Sequence, residues 1–568
     1  MTKVTDIHSH IFDVRYLPFE EMVIQFSLED LNVRQPVAEE LASYLSQIFN
    51  EILYDNVSVD SGLIEVLSLL DDANDEAVKD SVTDAVFSRI IEKLLGLLLK
   101  GNRDNSRATI ERSDFVTSLV RLKNLHVSEA VAGEEMTEEG LVTILAGTQH
   151  QDEEKKIELT RQFKGPLKWA MKQTNLEKYL RFLLLMLQTE TNLADYLLHN
   201  TYNDTQNLVL HVHHMMDMEK AYRRGKGRRE PGKPPYYDYK SKQVGKMAEV
   251  FQKNKGKLLG FVAFDPRRTG AYEICEDALN RGFIGVKMYP PLGYRPDDFA
   301  HYPALHRLYT LCVRKGIPIM THCTPSGFEG GRGWGLNSHP VYWEEVLSRE
   351  SPLDSSISYS DLKLCFGHAG GGNHSTTIYE KQLEEFSYLN SIKRAKRYED
   401  PKTMGHDWGD EEIMLCKYKL NGWYAGQKEW ESEAGYPRKV VELCTTYPNV
   451  YCDFSHLIDV IPPGDDKNPN EFRKKFESRF KEEMERDASY PFADKVMFGS
   501  DWHMKNMIDR TADFLMYFEE LFMDKTAGLS AHKDKFFSKN ALQFLGIREY
   551  LHRYEEYGNN VLDSETVS

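Results

Sequence analysis

The chain has no Cys-x-x-Cys pair, no apolar run of about 18 residues, and no glycine-rich phosphate fingerprint behind an early strand. Each absence excludes something. The cysteines, at positions 275, 312, 323, 365, 416, 444 and 452, are odd in number and unpatterned. Neither a disulfide scaffold nor a cysteine-ligated zinc ribbon is expected from them. No basic-then-apolar leader opens the sequence, so they read as reduced thiols of a cytoplasmic protein. The longest aliphatic stretch, Leu94-Leu95-Gly96-Leu97-Leu98-Leu99, ends at Lys100 and reads as a buried helix turn rather than a membrane span. Basic residues are the minority: 71 Lys and Arg against 88 Asp and Glu, a formal charge of −17. That balance argues against general nucleic-acid or anionic-membrane binding and leaves a small-molecule substrate as the expected partner.

What is present fits a soluble enzyme-sized chain. At 568 residues it is too long for one small core, and implies several domains or one large α/β barrel with insertions. From Val37 to Asn200 the apolar spacing is helical, over Val37–Tyr54, Ala77–Leu99 and Tyr179–Leu198. After Asn207 short apolar runs alternate with amphipathic stretches. The runs are Leu208–Val212, Leu258–Phe264, Phe283–Met288, Ile317–Thr321, Leu362–Phe366, Val450–Phe454 and Lys495–Phe498. With Val4–Phe12 they make eight strands, the count for a (β/α)8 TIM-type barrel. An open doubly wound sheet is the alternative. The expected organisation is a barrel from 1–36 and 205–550, a large all-helical insertion at 37–204 after the first strand, a smaller insertion at 373–431, and a tail at 551–568.

In such a barrel chemistry sits at the C-terminal strand ends. Strand one carries His8-Ser9-His10, and alternate residues of a strand share a face, so both imidazoles can reach one metal ion. Strand four ends at Lys287-Met288-Tyr289, strand five at His322, strand six at Gly367-His368, and strand eight at Gly499-Ser500-Asp501. In that order the ends resemble the amidohydrolase superfamily, in its amidohydrolase-related branch. So do the Gly499-Ser500-Asp501 context and the later Lys539–Gly546 segment. The resemblance covers Val4–Phe12 and about 207–547, not the helical block.

The resemblance implies one divalent metal ion, zinc by default, held by His8, His10, His322 and Asp501. A second ion is implied if Lys287 is carboxylated and bridges; the reading here leans to one ion. Asp501 is then the proton acceptor and later donor, and His368 a ligand or a hydrogen-bond donor to the substrate.

Around these, Arg267 and Arg268 follow strand three and could grip a substrate carboxylate. Asp217 and Tyr289 are further pocket candidates, and His211 and His213 repeat the His-x-His spacing. Residues 222–242 carry Arg223, Arg224, Lys226, Arg228 and Arg229, readable as an electropositive lid, a nucleic-acid contact or a solvated loop. Gly327–Gly335 and Gly367–Gly372 read as substrate loops, with Arg332 and Trp334 supplying charge or shape. The leading function is a metal-dependent hydrolase attacking a carbonyl-type centre of a small anionic substrate. The alternatives are a metal-dependent non-oxidative decarboxylase of an unsaturated or aromatic acid, and an interaction protein that docks, or pairs as a homo-oligomer, through the helical block. A phosphoesterase that also begins His-x-His would need early ligands, and His126, His150 and His199 are unsuitably placed for it.

Overall fold

The computed structural model describes residues 3–18 except 12, scattered positions from 121 to 186 together with 153–173, and residues 188–202 and 207–219. It further describes 223–224, 230–231, 235 and 237–372 except 329 and 331–333, then 422–461 except 432–434, 471–524 with short gaps, and 528–547. Eight parallel strands follow one another in chain order around a single sheet. They are β1 (Lys3–Ser9), β2 (Asn207–His214), β3 (Leu258–Ala263), β4 (Gly285–Met288), β5 (Ile319–His322), β6 (Leu364–Gly367), β7 (Val450–Phe454) and β8 (Val496–Phe498). The first and last meet through a parallel bridge from Ser9 to Trp502, with Asp501 N–H donating to His8 O at 2.7 Å. This is the expected (β/α)8 barrel.

The strands form because their apolar runs are buried on both faces, as a parallel sheet covered by helices requires. Helices of the barrel unit are α3 (Val244–Lys253), α4 (Ala271–Asn280), α5 (Ala304–Lys315), α6 (Val341–Leu347), α7 (Tyr436–Thr446), α8 (Glu471–Glu485), α9 (Thr511–Met523) and α10 (Asn540–Leu545), after α1 (Glu153–Gln173) and α2 (Glu190–Asn200) earlier in the chain. Most carry one apolar stripe: α8 is charged overall yet buries Phe476, Phe480 and Met484. The two rings meet Phe454 of β7, Phe518 and Phe536 edge to face.

The barrel's seam is held by a buried carboxylate. Asp6 accepts from Ser500 N–H at 2.9 Å, from the Ser500 hydroxyl at 2.6 Å and from the Tyr202 hydroxyl at 2.7 Å. Strand one is thereby tied to the end of strand eight beside the two histidines.

The chain falls into two compact units: Met1–Ile11, Ala194–Gly232 and Tyr237–Ser568 form one, Phe12–Leu193 and Lys233–Tyr236 the other. In the second, Arg15 donates to Asp13 and Glu190. Val37–Tyr54 and Ala77–Leu99 lie outside the described residues. The single helix expected over Tyr179–Leu198 is broken: Gln188 and Thr189 leave the helix and α2 starts afresh at Glu190, where Thr189 Oγ1 accepts from Asn192 N–H at 3.3 Å. A threonine side chain that satisfies a first-turn amide favours a new start over continuation. Of the smaller expected insertion, 373–421 lies outside the described residues, whereas Trp423 is fully buried against Phe454 and donates to Ala369 O at 2.8 Å. No helix among the described residues is long and apolar enough to cross a membrane.

Candidate metal centre

His8 lies on β1 and His10 one residue beyond it, both buried, with ring centroids 5.3 Å apart. The barrel makes room for His8 by placing glycines beside it. A Cβ on Gly367 would stand 2.9 Å from His8 Cε1, and one on Gly499 2.7 Å from His8 Cβ. His368 (φ 65°), His456 (φ 56°) and Asp501 (φ 60°) hold left-handed backbone conformations. Non-glycine residues pay roughly 1–2 kcal/mol for that conformation. Such cost concentrates where geometry serves function.

The hydrogen-bond partners fix which imidazole nitrogen carries its proton, since carbonyls and carboxylates only accept. His8 Nδ1 lies 3.1 Å from Asp453 Oδ2, and His10 Nδ1 lies 2.8 Å from His214 O. His322 Nε2 lies 2.8 Å from Ser326 O. Ser455 donates its hydroxyl to Asp453, so its oxygen accepts from His368 Nδ1 at 2.8 Å. Every outer nitrogen is therefore a donor, and the inner atoms (His8 Nε2, His10 Nε2, His322 Nδ1 and His368 Nε2) present lone pairs.

These inner atoms crowd one another and a carboxylate. His10 Nε2 is 3.3 Å and His8 Nε2 3.6 Å from Asp501 Oδ1. His322 Nδ1 and His368 Nε2 are 3.1 Å apart. Among the described residues Asp501 Oδ1 is buried without a hydrogen-bond partner. Lys287 Nζ stands 3.2 Å from His8 Nε2, but the other acceptors face one another in a buried pocket, which calls for a further cation, and imidazole with carboxylate is a donor set for zinc, manganese or iron. His8, His10 and Asp501 offer ligand atoms all within 4.8 Å of one another. His8, His368 and Asp453 form a second such group, already closed by the His8–Asp453 hydrogen bond.

Burial keeps the set in the ligating form. It pushes His10 down to about 4 and His368 to about 3, in each case against the opposing charge of Asp501. Burial, with His368 and Lys287, lowers His322 well below the usual imidazole range. Burial would raise Asp501, but His368, His10, His456 and His8 together hold it well below the usual carboxylate range. Lys287 is brought down to about 8 by burial, with Asp453 and Asp501 resisting, and its Nζ stands 3.2 Å from His8 Nε2.

The expected site residues divide. His8, His10, His368, Asp501 and Lys287 converge. His322 stands beside them, but belongs to neither ligand group, turned between Ser326 O and His368. The Tyr289 ring lies tilted against His322, centroids 4.4 Å apart, and its hydroxyl accepts from Phe328 N–H. Gly327 lets the loop pass here, for a Cβ on it would stand 2.5 Å from that hydroxyl. The two arginines differ from expectation: Arg267 is engaged by Asp265 and Leu292 O, and Arg268 by Asp217 and Glu219. Buried guanidinium groups need paired acceptors, and the chain supplies them itself. Asp217 is thus Arg268's partner. His213 lies 6.5 Å from the His10 ring, while His211 packs against Tyr202 and Asp6. Of the basic segment 222–242, Arg223–Arg224 pairs antiparallel with Glu230–Pro231, and Tyr239 is buried, donating to Ala263 O. Arg332 lies outside the described residues.

Three residues went unread in the sequence: Asp453, Ser455 and His456, at the end of β7. His456 Nδ1 lies 3.0 Å from Asp501 Oδ2, with its side chain 31% exposed. The available signal was positional, an Asp-x-Ser-His at the C-terminal end of strand seven.

Comparison with known proteins bears on the last two strands of the barrel. The amidohydrolase family model matches residues 431–547, which contain Asp453, Asp501 and α10. Among solved structures, that of 5-carboxyvanillate decarboxylase from Novosphingobium aromaticivorans, complexed with manganese and 4-hydroxy-3-methoxy-5-nitrobenzoic acid, is 15% identical with a TM-score of 0.33. It covers 66% of this chain and 87% of that one. A mutant form of that enzyme, with manganese and the same nitrobenzoic acid, is 14% identical with a TM-score of 0.30, over 60% and 78%. No curated protein matches. The amidohydrolase likeness thus rests on residues 431–547, the last part of the barrel.

Proposed function

We propose that this chain, whose residues 431–547 carry the amidohydrolase pattern, holds one divalent ion at His8, His10 and Asp501, with His322 closing the set, and uses it on a small anionic substrate. The observation that carries the reading is the buried Asp501 Oδ1, without a hydrogen-bond partner beside two inward imidazole nitrogens. Zinc is the first ion to test and manganese the second, since the same donors suit both. Lys287 is proposed to remain an uncarboxylated ammonium group. It stands 3.2 Å from His8 Nε2, while the outer nitrogen of His8 is closed by Asp453, which favours one ion over two.

The reaction these surroundings favour is loss of carbon dioxide from an aromatic or unsaturated carboxylic acid. Lys287 places a cation at the floor of the site for a carboxylate, and Tyr289 offers a ring edge for a flat substrate. When bound, the ion supplies Lewis-acid polarisation of a substrate oxygen. Lys287 and Tyr289 orient the acid. As the C–C bond breaks, the carboxylate leaves as carbon dioxide and the electron pair stays on the substrate carbon, which takes a proton that Asp501, ionised at rest, has first accepted from water. His456 Nδ1, 3.0 Å from Asp501 Oδ2, lies beside that carboxylate and favours its ionised form once protonated.

Hydrolysis is the second reading, and one observation favours it: the same unpartnered Asp501 oxygen is placed to accept a proton from an attacking water. A panel of hydroxylated benzoates, unsaturated acids, esters, amides and lactones, followed by carbon dioxide release and product analysis, separates the two. Release from an acid by the metal-loaded protein, lost in Asp501→Asn, is the expected result. Turnover confined to esters, amides or lactones would move the assignment to the hydrolase.

A further inference from the structure

Strand seven contributes nothing to the proposed ligand set, yet its end organises two of the four imidazoles. Asp453 is fully buried and accepts four times: from His8 Nδ1, from His368 N–H at 3.2 Å, from the Ser455 hydroxyl and from the Cys365 thiol at 3.7 Å. Ser455, also buried, stands between the two rings, 3.2 Å from His8 Nδ1 and 2.8 Å from His368 Nδ1. Its proton is committed to Asp453, so toward both rings its oxygen can only accept. The pair therefore allows His8 and His368 one neutral tautomer each, with the proton on Nδ1 and the lone pair on Nε2. His10 gets the same instruction from a backbone carbonyl, a simpler device that no side-chain change can alter. His8 depends on side chains two residues apart at the end of one strand, and His368 Nδ1 has the Ser455 hydroxyl at 2.8 Å as its nearer acceptor, with the Ser455 carbonyl farther off at 3.4 Å.

We infer that Asp453 and Ser455 are positioning residues that lock the tautomers of His8 and His368, so that the inward lone pairs are set before any cation arrives. The inference rests on the metal reading only for its consequence, since the tautomers belong to the metal-free protein. Groups that orient an imidazole ligand in this way typically contribute about 10–100-fold in metal affinity. An asparagine at 453 could offer its amide N–H to His8 Nδ1 and so favour the opposite tautomer.

The test uses the full-length protein labelled with 15N in histidine, its ring signals read by long-range 15N–1H correlation in the metal-free state and assigned with His8→Gln and His368→Gln. Expected are Nδ1–H forms for His8 and His368 in the native protein, a move of His8 to Nε2–H in Asp453→Asn, and a zinc affinity about 10–100-fold weaker by chelator competition. Ser455→Ala keeps the fold testable should Asp453→Asn not fold, and is expected to leave His368 a mixture of tautomers. Ser455→Thr, which retains the hydroxyl, is expected to restore the single form. An Nε2–H form of His8 in the native protein overturns the inference, as does a single unchanged His368 tautomer in Ser455→Ala. Should the native protein bind no zinc or manganese, the metal reading fails by itself and the tautomer result still decides this one.

Discussion

Asp501 and Arg268 show how burial assigns roles to residues of equal promise in the sequence. Both follow a strand on the catalytic side. Asp501 keeps one oxygen without a partner among inward imidazoles, whereas Arg268 meets two carboxylates from its own chain. Arg268→Ala would strand the buried Asp217, and is expected to destabilise the fold by about 3–5 kcal/mol. Urea unfolding checks this, and metal content should be unchanged. Retained stability with lost substrate affinity would return Arg268 to the binding role first read for it. His8, His10, His368 and Asp501 were legible because strand-end position and residue type suffice to mark a ligand candidate. Asp453 and Ser455 were not, because their role is to accept hydrogen bonds from imidazoles 87 to 447 residues away in sequence, which no spacing reveals.

At the scale of the element, eight strands were legible as apolar runs, and Val450–Phe454 and Ala304–Lys315 have the bounds their patterns indicate. The helix Val341–Leu347 escaped because seven residues are too few for a period to declare itself. The broken helix before Glu190 escaped because leucines on either side of Gln188 continue the period across the break. Two elements carry measurable weight. Phe480, fully buried on α8 among Phe454, Phe476 and Phe536, is expected to cost about 3–5 kcal/mol when truncated to alanine. At the barrel seam, Asp6→Asn would turn an amide donor toward the Ser500 or Tyr202 hydroxyl and leave a buried group unsatisfied. About 1–3 kcal/mol of stability should go with it, read by chemical unfolding.

For the whole molecule, buried neutral histidines make stability depend on pH. His10 is lowered to about 4, and His368 and His503 to about 3, each chiefly by burial. These groups are depressed in the folded state, so the unfolded chain binds protons first as pH falls through about 6.5. Their contribution is present above that pH and is lost progressively down to the folded values. The thermal midpoint of the metal-free protein is therefore expected to fall between pH 6.5 and 4. Added zinc should raise it at neutral pH and less so toward pH 4, as protons compete for the same nitrogens. A flat profile over that range would mean that these imidazoles are charged or exposed. Residues 37–204 as a docking module, a cytoplasmic location and pairing into a homo-oligomer are proposals with separate readouts. Solution mass decides the last: a dimer supports pairing and a monomer removes it.

The central claim is that the inward-facing acceptors at the barrel's strand ends hold a divalent ion. Elemental analysis of the purified protein, beside His8→Ala, His10→Ala and Asp501→Asn variants shown to be folded, measures it most directly. The account predicts about one equivalent of a divalent transition metal per chain in the native protein, falling well below that in each variant. Native protein that is folded but holds no stoichiometric metal, even after incubation with zinc or manganese, would contradict it.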